Sequence, residues 1–241
     1  MRTVRICQLK APLAIDAELP LDDDGYGHLI RVLRFTKDDE FVVFDGLGNE
    51  YEAILTAAGK SATYKCTKKI ERNIESPLFI ELGQVISRGD KMEFTIQKAV
   101  ELGISKITPL YSSRCGVKLD DKRKDKKVEQ WQKIAIAACE QSGRNVVPVV
   151  ENITNIDSWY SQSPESLNLT LDPKASIKLT ELEIKKNIRL LIGPEGGLDD
   201  QEIQKSKDNS FIGVTLGPRI LRTETAALAA LSILGCKYGD L

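Results

Sequence analysis

Two stretches near the C-terminus hold most of the side chains able to do chemistry. "LGPRILRTETAALAAL", residues 216–231, sets Arg219, Arg222 and Glu224 beside a Gly-Pro pair and ahead of an alanine-rich run. A guanidinium can stabilise a developing anion through charge-assisted hydrogen bonds. "IGPEGG" places Gly193, Gly196 and Gly197 around Pro194 and Glu195. Glycine lets backbone approach a ligand closely or turn at positive φ. Each feature also has a plain structural reading. "IGPEGG" makes a tight strand-to-helix turn. Thr223 is placed to act as an N-cap, and Glu224 meets the positive end of the helix dipole. The arginines suit surface ion pairs. The crowding of all these features directly after a strand favours a site.

The elements that must position these residues read as two parts. The first part is β-rich. "EFVVFDGLGNEYEAIL" is an apolar run, a Gly-rich turn and a returning strand, which is a hairpin pattern. "SATYKCTKKI" reads as a further strand, and "GHLIRVLRF" as a short inserted helix with Leu29, Val32 and Leu33 on one face and Arg31 and Arg34 off it. "ERNIESP" reads as a linker. Beyond it strands alternate with helices. "LFIELGQVI", "KITPLY", "LNLTLD", "IRLLIG" and "FIGVTLG" are strand-like, and "DKMEFTIQKAVELG", the long stretch from Asp120, "DDQEIQKSK" and the final alanine-rich segment are helical. That alternation predicts a parallel sheet covered on both faces, with ligands bound beyond the carboxyl ends of its strands. Three such ends stand out: "LTLDPKAS", "LLIGPEGGLDDQE" and the stretch from Leu216.

Composition narrows the classes. The chain has 241 residues, 41% hydrophobic and 29% charged, with a formal net charge of -1. No run approaches the ~20 apolar residues of a membrane span, and the N-terminal stretch has no apolar core of a signal peptide. The five cysteines are scattered, and with one histidine they suggest no metal site. A reduced, cytoplasmic setting is expected. Neither GxxxxGK[ST] nor GxGxxG after a strand is present, which disfavours phosphate-loop and dinucleotide sites.

"IGPEGG" followed by "LGPRILRTETA" closely resembles the RsmE-type methyltransferases of small-subunit ribosomal RNA, in the SPOUT class. "GHLIRVLR", "KMEFTIQKAVELGISKITPL" and "ACEQSGRNVVP" resemble further motifs of that family, in the same order along nearly the whole chain. The resemblance implies an α/β SPOUT methyltransferase domain over residues 73–241 with a C-terminal trefoil knot. It implies a small PUA-like RNA-binding β-barrel domain over residues 1–72 and a homodimer whose active site uses both subunits. The implied reaction is methylation of N3 of a specific uridine in 16S ribosomal RNA, in the assembled small subunit, with S-adenosyl-L-methionine as cofactor and no metal. A SPOUT enzyme acting on tRNA or a ribose hydroxyl, and a non-catalytic RNA-binding assembly factor, are the alternatives.

The resemblance also implies roles. Leu171, Ile192, Gly193, Pro194, Gly197, Leu216, Gly217, Ile220, Leu221 and Thr225 would form the cofactor cleft. Arg222 would stabilise the uracil anion, with Glu195 or Glu224 as base. His28, Arg31 and Arg34 on the β domain, and Arg88, Lys91, Arg114 and Arg144, would meet RNA phosphates. The "KRKDKK" run reads as a solvated helix start.

Overall fold

The computed structural model describes residues 3–9, 12–59, 61–162, 165–184 and 187–241. The chain divides into two compact units. One comprises Met1–Glu75 and Ile136–Val147, the other Ser76–Ala135 and Pro148–Leu241.

In the first unit, β1 (Arg5–Cys7), β2 (Glu18–Pro20), β3 (Glu40–Phe44), β4 (Glu50–Ala57) and β5 (Thr63–Lys69) form a sheet in the order β1-β3-β4-β5-β2. Alternate residues point to one side, so Phe41 and Val43, then Tyr51, Ala53 and Leu55, then Tyr64 and Cys66 share a core with Ile6 and Leu29. The β3–β4 hairpin is held by Asp45, whose carboxylate accepts from the backbone N–H of Leu47 at 2.8 Å and of Asn49 at 3.0 Å.

The inserted helix differs from expectation. The short α1 (Asp23–Tyr26) is capped by Asp22 and runs straight into a π-helical turn, Gly27–Val32. A π turn is wider than an α turn, so residues three and four apart no longer stack on one face. Leu29 is fully buried, but Val32 is 73% exposed and Leu33 is also largely out of the core. Arg34 then takes a left-handed backbone, φ 58°.

Residues 136–147 complete this unit from far along the chain. Glu140 Oε1 accepts from the Cys7 N–H at 2.9 Å, and Arg72 donates to the Gly143 carbonyl at 2.9 Å. Buried Glu50 binds the guanidinium groups of both Arg5 and Arg72. The segment read as a linker is therefore ordered at Arg72 and at Glu75, which pairs with Arg144.

The second unit carries a parallel sheet in the order β12-β10-β11-β6-β7-β8, with β9 beside β7. Its strands are β6 (Phe79–Val85), β7 (Lys106–Tyr111), β8 (Val149–Val150), β9 (Thr154–Asn155), β10 (Leu167–Leu171), β11 (Asn187–Ile192) and β12 (Phe211–Val214). The helices are α2 (Lys91–Glu101), α3 (Asp121–Ser142), α4 (Ile156–Tyr160), α5 (Asp200–Asp208) and α6 (Thr223–Tyr238), and α2 packs against α6. Helix α3 starts in this unit and ends in the first. Gly83 in β6 permits Trp159 to lie on the sheet, since a Cβ there would stand 2.6 Å from the indole. Among the described residues no helix is long and apolar enough to cross a membrane.

Candidate active site

Strand register brings the expected loops to one edge. Leu171 pairs with Val214, Thr170 with Leu191, and Ile192 with Gln84. The carboxyl ends of β10, β11, β12 and β6 therefore lie side by side, and the loops leaving them meet. Asp172 N–H donates to the Val214 carbonyl at 3.0 Å, and Thr215 N–H to the Ile177 carbonyl at 2.9 Å. Leu171, Ile192, Gly193, Pro194, Leu216, Gly217 and Leu221 all sit on this edge or on the loops it feeds.

The loop glycines leave backbone open. Gly197 (φ 68°) and Gly217 (φ 133°) have left-handed φ, and a Cβ at either would find no atom within 4 Å. Gly193 differs: a Cβ there would press on Leu198 at 3.1 Å. Ile220 is 85% exposed, an unusual state for an isoleucine beside a loop cluster.

The start of α6 departs from the sequence expectation. Thr223 is not the N-cap. That position is Arg222, in extended conformation, and its side chain makes no capping bond. Thr223 is instead buried in the first turn. Its hydroxyl donates to the Gly193 carbonyl at 2.7 Å and accepts from Gln84 Nε2 at 3.0 Å. Helix α6 is thus stitched to the "IGPEGG" loop and to β6. Arg222 is exposed, and among the described residues its guanidinium makes no hydrogen bond or ion pair. Thr225, in the same first turn, is exposed. Glu224 is partly buried, and its Oε2 is enclosed with no partner among the described residues.

Glu195 is tied down. Its Oε1 accepts from the Arg88 backbone N–H at 3.0 Å and lies 3.4 Å from Lys91 Nζ. Burial pushes its carboxyl up, but the bonds from Arg88 N–H, its own N–H and Lys91 outweigh this and hold it below the usual range. A depressed pKa makes a poor proton acceptor. Arg114 Nη1 donates to the Gly196 carbonyl at 3.1 Å. Arg88, Lys91 and Arg114 therefore gather round the same loop.

His28, Arg31 and Arg34 lie exposed on the π turn and its exit in the first unit, with Arg31 5.4 Å from the Tyr26 ring centre. Arg144 is placed otherwise than expected for an RNA contact. It is 6% exposed, and its Nε donates to Glu75 Oε2 at 2.9 Å. A phosphate could reach it only by displacing the Glu75 carboxylate.

The sequence motifs assign no role to two further polar residues. Gln84 is fully buried. Glu140 packs on β1, where burial raises its pKa against the opposing effects of the Cys7 N–H and His28. A surface cavity at the opposite edge, lined by Phe79, Glu81 and Arg189 among others, is no rival site. Its guanidinium is already bonded to Glu81 and to the carbonyls of Trp159, Tyr160 and Gln162.

Comparison with known proteins places this geometry. Residues 74–235 match a family described as an RNA methyltransferase domain, and residues 21–63 one described as an RNA methyltransferase PUA domain. The chain is 42% identical over 221 residues to the ribosomal RNA small subunit methyltransferase E of Buchnera aphidicola subsp. Schizaphis graminum, covering 90% of each. It is 34% identical to the Bacillus subtilis protein of that name, covering 86% of this chain and 85% of the relative. Among solved structures, a Legionella pneumophila methyltransferase with bound cofactor SAM is 39% identical, with TM-score 0.96 and complete coverage of both chains. A Neisseria gonorrhoeae ribosomal RNA small subunit methyltransferase E bound to S-adenosyl methionine is 39% identical, with TM-score 0.95 and 99% coverage of both. With its fold, its loop cluster and identity that runs through both units, the chain belongs to the ribosomal RNA small subunit methyltransferase E family.

Proposed function

We propose that this protein transfers a methyl group from S-adenosyl-L-methionine to N3 of a specific uridine in 16S ribosomal RNA, within the assembled small subunit. The observation that carries the reading is the meeting of three strand-end loops beside Arg222, a guanidinium without protein partners among the described residues. The trefoil knot, the homodimer with a shared site and the cytoplasmic setting belong to the same reading.

The residues fit the cofactor. Open backbone at Gly197 and Gly217 allows close approach, Leu171, Leu216, Ile220 and Leu221 offer apolar surface for a flat base, and buried Ile192 would contribute backbone only. Gly193, Pro194 and Thr225 complete the lining. When bound, S-adenosylmethionine supplies an electrophilic methyl group on a sulfonium.

The protein's own task is to ready the acceptor. Uracil N3 carries a proton and attacks poorly until that proton leaves. Arg222 holds the resulting anion by charge-assisted hydrogen bonds to a uracil oxygen. Of the two carboxylates, Glu224 is the better base, because no donor among the described residues is bonded to its Oε2, whereas Glu195 is held by Arg88 and Lys91. Glu195 positions the loop and the cations around it. Arg88, Lys91 and Arg114 neutralise phosphate on this unit, and Arg31 and Arg34 on the other, where His28 lies beside them as a hydrogen-bonding contact. Arg144 serves the first unit's packing.

The test is methyl transfer from labelled S-adenosylmethionine to small ribosomal subunits lacking the modification, followed by nucleoside analysis. Label in 3-methyluridine is expected. Label in another nucleoside would move the target. No transfer by a chain that binds the cofactor would favour the assembly-factor reading.

A further inference from the structure

We infer that Gln84 is a positioning residue for methyl transfer, acting through Thr223 to fix Arg222 against the Gly193 loop. The inference rests on the methyltransferase reading above.

The hydrogen-bond directions are fixed by elimination. The Gly193 carbonyl can only accept, so the Thr223 hydroxyl gives it its proton, at 2.7 Å. Toward Gln84, at 3.0 Å, the same hydroxyl can then only accept. The amide therefore points its Nε2 at Thr223 and at the Val85 carbonyl, 2.9 Å away. Its Oε1 is left buried, with no partner among the described residues.

An orphaned buried acceptor is a cost that an apolar residue of the same volume would not carry. Gln84 sits in a central strand, fully buried, between β11 and β7. For packing alone, methionine or leucine would serve better there. What glutamine adds is the donor to Thr223, the residue next to Arg222. The relay runs from β6, the rigid centre of the sheet, through the first turn of α6 to the loop after β11. The Gly193 loop has other anchors, namely the Gly197 N–H to Pro194 carbonyl bond at 2.9 Å and the bonds of Glu195 with Arg88 and Lys91. Without Gln84, the start of α6 loses its hydrogen bond to β6 and is left with the Thr223–Gly193 bond, while that loop stays held.

Gln84→Met tests this. The variant is expected to unfold at a denaturant concentration at or above that of the natural chain. Its calorimetric Kd for S-adenosylmethionine should stay within about three-fold, while kcat falls by about 10- to 100-fold, as for an Ångström-scale misplacement of a catalytic group. Thr223→Val should reproduce the fall in kcat and Thr223→Ser should rescue it. Gln84→Met combined with Thr223→Val should be no slower than either alone. Gln84→Met at the natural rate overturns the inference, as does loss of stability in step with activity. If Gln84→Met does not fold, the Thr223 pair decides in the same way. A natural chain that transfers no methyl group defeats the functional reading itself, which is distinct from an active chain indifferent to Gln84.

Discussion

Arg189 donates its Nε–H to Glu81 Oε2 at 3.1 Å, and its guanidinium carbon stands 3.9 Å from the centre of the Trp159 ring. The two charged side chains are 1% and 5% exposed. Glu81 also accepts from Thr108 at 2.8 Å and from the Trp159 indole N–H at 2.9 Å. Burial lowers the Arg189 pKa, and Glu81 opposes that shift. Breaking a buried pair from one side strands the other charge. Glu81→Ala should therefore destabilise the protein by about 3–5 kcal/mol in urea unfolding. Glu81→Ala combined with Arg189→Met should recover much of that loss. A fall below about 1 kcal/mol for Glu81→Ala would mean that Arg189 has found other compensation.

Glu140 predicts the opposite sign. Its folded pKa is raised above 4.5, chiefly by burial. A raised pKa gives stability that is present below the unfolded value and lost as pH rises through the folded one. Glu140→Gln keeps an acceptor for the Cys7 N–H and removes the buried charge. The variant should melt higher than the natural chain at pH 7–8, with the gap closing below about pH 4. A lower melting temperature at neutral pH would refute this.

Glu195 runs the other way again, since its pKa is held below 4.5. Its contribution is present above the unfolded value and disappears as pH falls through the folded one. Glu195→Gln should cost melting temperature at pH 7, and the cost should shrink steadily as pH falls below the usual carboxylate range. Melting curves across that range, run beside the natural chain, check it.

Arg222→Ala should lower kcat by at least about 100-fold, the scale of losing one transition-state donor. Its calorimetric affinity for S-adenosylmethionine should change only a few-fold. Equal loss of both would remove Arg222 from the catalytic role.

Arg31→Glu with Arg34→Glu should weaken binding to small ribosomal subunits and flatten its dependence on salt, by about one in slope for each phosphate no longer neutralised. Cofactor affinity and melting temperature should hold. Unchanged subunit binding would take the π turn out of the RNA interface.

Much of the fold is legible in the sequence because its signals are local. The apolar runs of β6, β10, β11 and β12, the hairpin turn at Asp45 and the glycine just past α2, Gly103 with φ 84°, follow from residue type and spacing alone. The π turn is not legible, because the usual helical template assigns Val32 and Leu33 to the same face as Leu29. The role of Thr223 is hidden for a related reason. A threonine before an acidic residue and alanines fits a cap, and only the tertiary position of Gly193 redirects its hydroxyl. Gln84 and Glu81 do leave a trace, as two polar residues in "LFIELGQVI", an otherwise apolar buried strand. Polar residues in such a strand must be bonded or functional. Arg144 gives no such sign, since its partner Glu75 lies far away in sequence.

The first unit takes its last piece from residues 136–147. During synthesis, then, the N-terminal part of this protein cannot finish first. Cys7, Arg5 and Arg72 must wait while more than half the chain is made before their partners at Glu140, Arg144 and Gly143 emerge from the ribosome. A fragment ending at Glu75 would carry the whole β-sheet and still lack the acceptors that close it. The two units cannot be cut apart at a single bond, and neither could have been exchanged between proteins as one uninterrupted stretch of coding sequence.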